Sequence, residues 1–162
     1  MPLKPLPYLL ATCVVAVPVL VLALQGARSR RNPPASLGSA GAGLSACPSS
    51  PNCVGSSGGV APLHSGGSAD ETRLHLLAAL QGFPRTRVAT DAWPYLRVEF
   101  RSRWFGFVDD VEFLADEARS RIDFRSASRV GYYDLGVNRR RMEELRRRFD
   151  GVQGSTKAEA DS

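Results

Sequence analysis

Apolar and charged residues alternate along several short stretches in the second half of the chain. In residues 95–102, Leu96, Val98 and Phe100 share one face of an extended backbone, and charged side chains lie between them. A period of two residues is typical of a strand with one face buried and the other exposed to water. The pattern predicts four strands, at residues 85–90, 95–102, 107–114 and 121–126. Short connections between them, with Gly106 at one turn, favour an antiparallel meander.

Two stretches with helical spacing flank these strands. Ser68 and Glu71 form a capping-box pattern at the start of the first helix. Gly82 and Pro84 end this helix. Its predicted inward stripe is Leu74, Leu77 and Ala78, widened by Leu76 and Leu80. Asn138 is predicted to cap the second helix, which has its own inward stripe. That stripe is Met142, Leu145 and Phe149.

The predicted element order is therefore α-β-β-β-β-α. It predicts an α+β fold of two layers, in which a four-stranded antiparallel meander is covered on one face by two helices. Residues 69–149 form this domain, and the polar residues 150–162 form a disordered tail. Residues 28–68 are rich in Gly, Ser, Pro and Ala. Because such a composition buries little apolar surface, it predicts a flexible tether.

The first residues of the chain are predicted to target it to a membrane. Residues 6–24 contain no charged side chain, and as a helix they would span ~28 Å, close to the ~30 Å hydrocarbon core of a bilayer. We therefore interpret residues 1–27 as a membrane-targeting or anchor segment. A cleaved signal peptide is an alternative, although the residues up to Gln25 make a poor cleavage site. A lipoprotein signal ending at Cys13 is another, against which the long apolar run beyond it argues.

The formal net charge of +5 is concentrated in two places. One is the flank of the apolar segment, at Arg28, Arg30 and Arg31, and the other is the predicted last helix. Nucleic-acid binders spread a basic footprint over one face of the protein. The local excess therefore argues against a nucleic-acid partner. The membrane, through the N-terminal segment, is the partner that the sequence predicts.

Two cysteines, Cys47 and Cys53, are separated by five residues within the predicted tether. In an oxidising compartment they could close a small disulfide loop. A zinc site that also includes His64 and His75 is an alternative, but known zinc sites pair their ligands more tightly. Two free thiols are the third alternative. We favour the disulfide and predict neither a bound metal nor a cofactor.

Asp109 is the unusual residue of the predicted sheet, because the alternation puts it on the same face as Val111 and Phe113. A carboxylate among apolar side chains needs a partner or becomes protonated. The candidate partners are Arg101, Arg125 and Arg129. The pattern fits a structural ion pair or a general acid or base. Since no Ser-His-Asp or Cys-His set surrounds it, we assign no catalytic residue and keep Asp109 as the alternative.

A second candidate site lies where the last strand leads into the last helix. Basic residues in the first turn of a helix oppose its dipole, but they suit an anion bound at that end. Ser126 and Ser128 share one face of a strand and could add hydroxyl donors. We therefore predict an anion-binding site formed by Arg125, Ser126, Ser128, Arg129, Asn138, Arg139 and Arg140. The alternative is a solvated helix start whose arginines pair with nearby acidic residues.

The turn between the second and third predicted strands carries two large aromatic residues. Trp104 and Phe105 stand between Arg103 and Gly106. Aromatic side chains at a hairpin tip are typical of contact with a membrane interface or with a partner protein. The alternative is that one of them folds back to cover the edge of the core.

Two parts of the sequence resemble a known family. The first is Cys47–Val54, which reads CPSSPNCV. The second comprises Arg101, Phe105–Glu112, Arg125–Gly131 and Asp134–Arg139. In content and order these motifs resemble the family named domain of unknown function 1499, over roughly residues 47–149. The resemblance implies a small domain often found with membrane or export segments, and it implies no activity.

Together these features predict a membrane-tethered, non-catalytic binding domain for an anionic ligand or a protein partner. The alternative is a small hydrolase or transferase, in which an Asp or Glu base works with an arginine cluster. Two rules disagree about where the domain lies. The positive flank at residues 28–31 favours the cytoplasm, whereas the close cysteine pair favours the extracytoplasmic side. We favour a membrane-anchored chain with its domain on the extracytoplasmic side.

Overall fold

The computed structural model describes residues 6–34, 36–58 and 60–160, with side chains described from residue 14 to residue 159. In this part of the chain there are three α-helices, α1 (Leu6–Arg31), α2 (Ala69–Gln81) and α3 (Val137–Ala160). One sheet contains the strands β1 (Cys53–Gly55), β2 (Leu63–His64), β3 (Thr86–Ala92), β4 (Tyr95–Arg101), β5 (Val108–Asp116) and β6 (Arg121–Ser128). The α+β class predicted from the sequence is confirmed.

The four longer strands, β3 to β6, pair in chain order as the predicted antiparallel meander. The predicted number of strands is wrong, because β1 and β2 also pair with the outer edge of β6. Both short strands lie within residues 28–68. With three and two residues, they are too short to show a period of two in the sequence.

The hydrophobic core lies between the sheet and the pair α2 and α3. Its helical members are Leu76, Ala79 and Leu80 of α2 and Met142, Leu145 and Phe149 of α3. The stripe predicted for α3 is therefore confirmed, whereas in α2 the predicted Leu74 is 59% exposed. Leucines occupy several sides of α2, so their spacing does not fix which side faces the sheet. The capping box of Ser68 and Glu71 is present at the start of α2, as predicted.

Helix α3 continues to Ala160, so residues 150–160 are helical where the sequence predicted a tail. A tertiary contact holds this extension against the domain. The side chain of Gln153 donates to the carbonyl oxygen of His64 at 3.0 Å and accepts from the backbone N–H of Gly66 at 2.9 Å. Contacts of this kind do not show in the composition from which the tail was predicted.

Helix α1 ends against the domain, where Gly26 and Ser29 are buried. Among the described residues, no helix is both long and apolar enough to cross a membrane. The membrane helix predicted for residues 1–27 is therefore not supported, and residues 1–5 of that segment lie outside the described part of the chain. The last turn of α1 is instead the first element that positions the candidate site.

Candidate functional site

The face of the sheet opposite to α2 and α3 carries buried charges. Glu99 of β4, Asp110 and Glu112 of β5 and Arg125 of β6 are each at most 5% exposed. The strand register pairs Glu99 with Asp110 and Glu112 with Arg125, so their side chains project from the same face. We call this face, together with Arg129, the ionic face. The alternation predicted that water covers it, but Ser29 and Gly38 contact its side chains instead.

Arg129 connects the carboxylates at the centre of the ionic face. Its Nε and Nη2 atoms donate to Asp110 at 2.7 and 2.9 Å, and Nη2 also donates to Glu99 at 2.6 Å. Burial by itself raises the pKa of Glu99, but hydrogen bonds from Arg87 and Arg129 outweigh it and lower the pKa to about 2. The hydrogen bond to Asp110 in turn raises the pKa of Arg129. Glu99 and Arg129 therefore stay charged at neutral pH, which suits an ion pair rather than proton transfer.

Glu112 forms a second cluster on the same face. Its carboxylate accepts from Arg125 at 2.8 Å, from the hydroxyl of Tyr95 at 2.9 Å and from the backbone N–H of Gly38 at 2.5 Å. Burial and the bond to Glu112 raise the pKa of Tyr95, so the tyrosine remains a donor. The contact with Gly38 ties the segment before β1 to the sheet. The Gly- and Ser-rich segment before β1 therefore covers part of the buried charges.

A cavity of about 410 Å³ lies beside Arg125 on the ionic face, and we call it the Arg125 cavity. Its walls include Leu44, Cys47, Ser57, Pro62, Asp123 and Arg125. The Nε atom of Arg125 is buried and has no hydrogen-bond partner among the described residues. A buried N–H without an acceptor costs free energy. The guanidinium is thus only partly satisfied by Glu112.

Cys47 and Cys53 form a disulfide, with their Cα atoms 5.6 Å apart. The predicted disulfide is confirmed, and the zinc alternative is excluded because the bonded sulfur atoms are not thiolates. Nor does the described part of the chain contain a group of three or more His, Cys, Asp or Glu side chains placed so that they could hold a metal ion. The disulfide joins one wall of the Arg125 cavity to β1, and β1 pairs with the stretch of β6 that contains Arg125.

Asp109 lies on the helix-covered face, where the alternation put it. Its partner is none of the three arginines considered from the sequence, because Arg141 of α3 donates to its carboxylate at 2.6 Å. The guanidinium of Arg141 also stacks on Phe100, 4.6 Å from the ring centre. The packing of α3 against the sheet supplies this partner, and strand spacing cannot reveal it. Asp109 is a paired carboxylate at the edge of the core.

The seven residues predicted to bind an anion do not form one cluster. Arg125 and Arg129 lie on the ionic face, where carboxylates hold them. The other five lie on the helix-covered side or on the surface of α3: Ser126, Ser128, Asn138, Arg139 and Arg140. The carbonyl oxygen of the Asn138 side chain accepts from Ser126 at 2.6 Å, and its amide donates to Ser128 at 3.1 Å. The two serines thus satisfy Asn138 rather than a ligand.

The start of α3 is occupied by a carboxylate of the chain itself. Asp134 accepts from the backbone N–H groups of Gly136 at 2.9 Å and Asn138 at 2.8 Å. Burial raises the pKa of Asp134, but these hydrogen bonds outweigh it and lower the pKa. Asp134 rather than Asn138 therefore caps the helix. The position at which the sequence predicted a bound anion is filled by an internal one.

The end of α1 docks on the turn between β4 and β5. The hydroxyl of Ser29 accepts from the backbone N–H of Val108 at 2.9 Å, and Arg30 donates to the carbonyl oxygen of Phe105 at 2.7 Å. A Cβ atom added at Gly26 would lie 2.0 Å from the same carbonyl oxygen. Only glycine fits such an approach of two backbones. The helix and the turn are therefore in direct contact, without a flexible connection between them.

Four large side chains around this junction are exposed, and we call them the collar. They are Trp104 (82%), Tyr132 (67%), Tyr133 (69%) and Leu135 (81%). A second cavity, of about 400 Å³, lies between α1 and the loop that precedes α3, with Leu22, Tyr133 and Leu135 among its walls. The alternative in which one of the two aromatic residues folds back does not hold for Trp104, whose ring is the most exposed of the four. Phe105 is half-buried, and its ring lies 6.0 Å from that of Phe107.

The ionic face was missed in the sequence, although it left one signal there. Charges of opposite sign stand between the apolar positions of three neighbouring strands, as at Glu99, Asp110 and Arg125. In a meander these positions come side by side, so ion pairs could have been predicted. Their burial could not, because it depends on contacts with residues outside the four strands, such as Ser29 and Gly38. The unpartnered Nε of Arg125 has no sequence signal at all.

No curated protein and no solved structure matches the chain. A family model described as "Protein of unknown function (DUF1499)" matches residues 43–149. The matched part contains the disulfide, the six strands of the sheet and the first half of α3. It also contains both motifs on which the resemblance rests. The chain belongs to the DUF1499 family.

Proposed function

We propose that the chain is a non-catalytic binding domain that α1 holds at the surface of a membrane. The observation that carries the proposal is the exposed apolar surface of α1. Among the described residues of this helix, the exposed large apolar side chains range from 38% exposed at Leu22 to 72% at Val14 and are Val14, Val15, Val17, Val19, Leu20, Val21, Leu22 and Leu24. Burying such a surface is worth roughly 25 cal/mol per Å². Because the exposed residues occupy several sides of the helix, fluid lipid suits them better than the fixed groove of a protein partner.

The collar supports contact between the domain and lipid. Trp and Tyr side chains are enriched at membrane interfaces, where the ring meets the apolar region and its polar atom meets water. Ser29 follows Leu24 by five positions, which is ~8 Å along a helix. The docked turn with Trp104 therefore lies close to the end of the apolar stretch. Arg28, Arg30 and Arg31 are exposed close to this level, where the phosphate groups of lipid headgroups can accept hydrogen bonds from them.

The buried acids support a role in binding rather than catalysis. Asp109 is paired with Arg141, and Glu99 and Asp110 share Arg129. A general base must be free to accept a proton from a substrate. No observation favours the alternative hydrolase or transferase, since each of these carboxylates already has a cationic partner. The disulfide supports the extracytoplasmic side, because cytosolic thiols are kept reduced.

The test uses the two tryptophans of the chain, which lie at opposite ends of β4. Trp93 precedes β4 and Trp104 follows it, and the seven residues of that strand span ~23 Å. The full-length chain is reconstituted into vesicles that contain anionic lipid and lipid brominated close to the headgroup. Trp93→Phe leaves Trp104 as the only reporter, and Trp104→Phe is the matched control that leaves Trp93. We expect bromine to quench Trp104 by more than about half and Trp93 by little, since quenching requires contact with the lipid.

Three outcomes count against the proposal in different ways. If the chain does not float with the vesicles, the membrane role is wrong. If it floats but neither tryptophan is quenched, α1 is in lipid and the collar is not. Equal quenching of both tryptophans would mean that the domain lies on the membrane in another orientation.

A further inference from the structure

The guanidinium of Arg125 is held in place by an ion pair, but not all of its N–H groups have a hydrogen-bond acceptor in the described part of the chain. Its Nη1 atom donates to Glu112 at 2.8 Å, and its Nε atom is buried without a partner among the described residues. An arginine presents five N–H groups in a rigid, planar fork. Glu112 cannot serve as a further acceptor in the same way, because Tyr95 and Gly38 also donate to it. The side chain is thus pre-positioned, with donor capacity left over.

The Arg125 cavity offers this fork a ligand-sized space. Its volume of about 410 Å³ lies within the range of small-molecule sites. Leu44, Pro62 and Leu114 give it apolar walls, and the hydroxyl-bearing Ser45 and Ser57 stand among them. A few polar groups among apolar walls are typical of pockets that orient an organic molecule. The composition suits a ligand with one polar end and an apolar body.

The charges around the cavity indicate what the polar end is. Arg121 and Asp123 form an ion pair at 3.0 Å in the wall and cancel each other. Arg125 brings one further positive charge, and Glu112 lies directly behind it. A doubly charged phosphate would therefore face the carboxylates of Glu112 and Asp123, each of which already offsets the charge of one arginine. A singly charged carboxylate matches the planar fork of arginine and meets less repulsion.

We propose that the Arg125 cavity binds a small organic monocarboxylate, whose oxygen atoms accept hydrogen bonds from the free side of the Arg125 guanidinium. This inference rests on the proposed function, since it names what the membrane-held binding domain takes up. The apolar body of the ligand lies against Leu44, Pro62 and Leu114. The disulfide at Cys47 keeps the outer wall of the cavity in place.

The test measures binding of three matched probes to the full-length chain in a non-ionic detergent. Benzoate, benzamide and phenyl phosphate share a ring and differ in the charge of the polar group. Isothermal titration calorimetry at neutral pH is expected to show the tightest binding for benzoate, with the other two weaker by about tenfold or more. If none of the three binds, or if phenyl phosphate binds as tightly as benzoate, the inference is wrong.

Two variants locate the binding in the cavity. Arg125→Lys keeps the charge but loses the fork, and it should weaken benzoate binding by about tenfold or more. Ser57→Phe fills the cavity without removing the bond between Arg125 and Glu112, and it should abolish binding even if the lysine variant folds poorly. Arg119→Lys and Ser155→Phe are the matched controls, because both residues are exposed and lie outside the cavity. Unchanged binding in Ser57→Phe would overturn the site.

The two proposals fail separately. Membrane contact is measured by quenching of Trp104 in vesicles, whereas carboxylate binding is measured in detergent without a bilayer. A chain that binds benzoate but does not float with the vesicles retains the cavity and loses the membrane role. A chain that is quenched but binds no carboxylate retains the membrane role alone.

Discussion

On the helix-covered face of the sheet, Val98, Val111 and Phe113 pack against α2 and α3. On the opposite face of the same two strands, one residue further along, stand Glu99 and Glu112. Both sets are buried, at most 5% exposed in every case. The first set needs only neighbours of suitable shape, whereas the second needs partners of opposite charge within hydrogen-bond distance. One sheet thus combines a core that tolerates repacking with a face whose residues depend on one another.

The difference lies in what each face loses when one side chain is removed. Removing an apolar side chain leaves a cavity, into which neighbours partly collapse. Removing one member of an ion pair leaves a buried charge that no movement of apolar neighbours can satisfy. Three changes test this contrast, and they are measured by chemical unfolding of the full-length chain in a non-ionic detergent.

The largest effect is expected at Phe113, on the helix-covered face. Its ring is fully buried, so Phe113→Ala should lower the free energy of unfolding by about 4 kcal/mol through lost burial and a residual cavity. The control Phe113→Leu keeps most of the volume and should cost roughly 1 kcal/mol. If the alanine variant lost no more than the leucine variant, the helices would not be packed on this face as described.

The next effect concerns Arg129 on the ionic face. Arg129→Met keeps much of the side-chain volume but leaves Asp110 and Glu99 without their main partner, so it should cost about 3 kcal/mol. Adding Asp110→Leu removes one of the stranded charges and should recover part of the loss. A single variant as stable as the wild type would mean that water reaches this face and that the two faces differ little.

Acid should weaken the ionic face and leave the apolar face unaffected. The pKa of Glu99 is lowered from 4.5 to about 2, so its contribution is complete above about pH 4.5 and is lost as the pH falls through about 2. Between about pH 6 and about pH 2.5 the free energy of unfolding should fall by roughly 2 kcal/mol more in the wild type than in Glu99→Gln. The glutamine variant serves as the reference because other acids, such as Asp134, also lose stability on acidification. Parallel pH profiles for the two proteins would contradict the ion pair.

Much of the fold could be predicted because period and capping are local. The alternation at residues 95–102 fixes the strand and its two faces, and the pair Ser68 and Glu71 fixes where α2 begins. Asp109 shows the limit of such reasoning. Its face followed from the alternation, but its partner Arg141 comes from α3, and only the packing of that helix brings the two together. Local patterns give the side of a residue and not its neighbour across the fold.

The candidate site could be predicted far less well than the fold. The anion site inferred at residues 125–140 joined residues that lie on opposite faces of the sheet, since strand and helix positions were read as one surface. The cover of the ionic face comes from a segment whose Gly- and Ser-rich composition is typical of a tether. Its ordering depends on single contacts, such as Gly38 with Glu112, and these have no pattern in the sequence. The Arg125 cavity exists only where that cover meets β6.

Helix α1 is unbroken up to Arg31, and Arg129 donates to the carbonyl oxygen of Ser29 at 3.0 Å. The stretch from Val14 to Ser29 is a lever arm of ~22 Å. Tilting it by about 10° at its far end moves Ser29 by ~4 Å, more than a hydrogen bond can stretch. The domain must therefore turn together with the helix, or the hydrogen bond from Arg129 to Ser29 breaks. The orientation of the domain relative to the surroundings of α1 is therefore set by the tilt of this one helix.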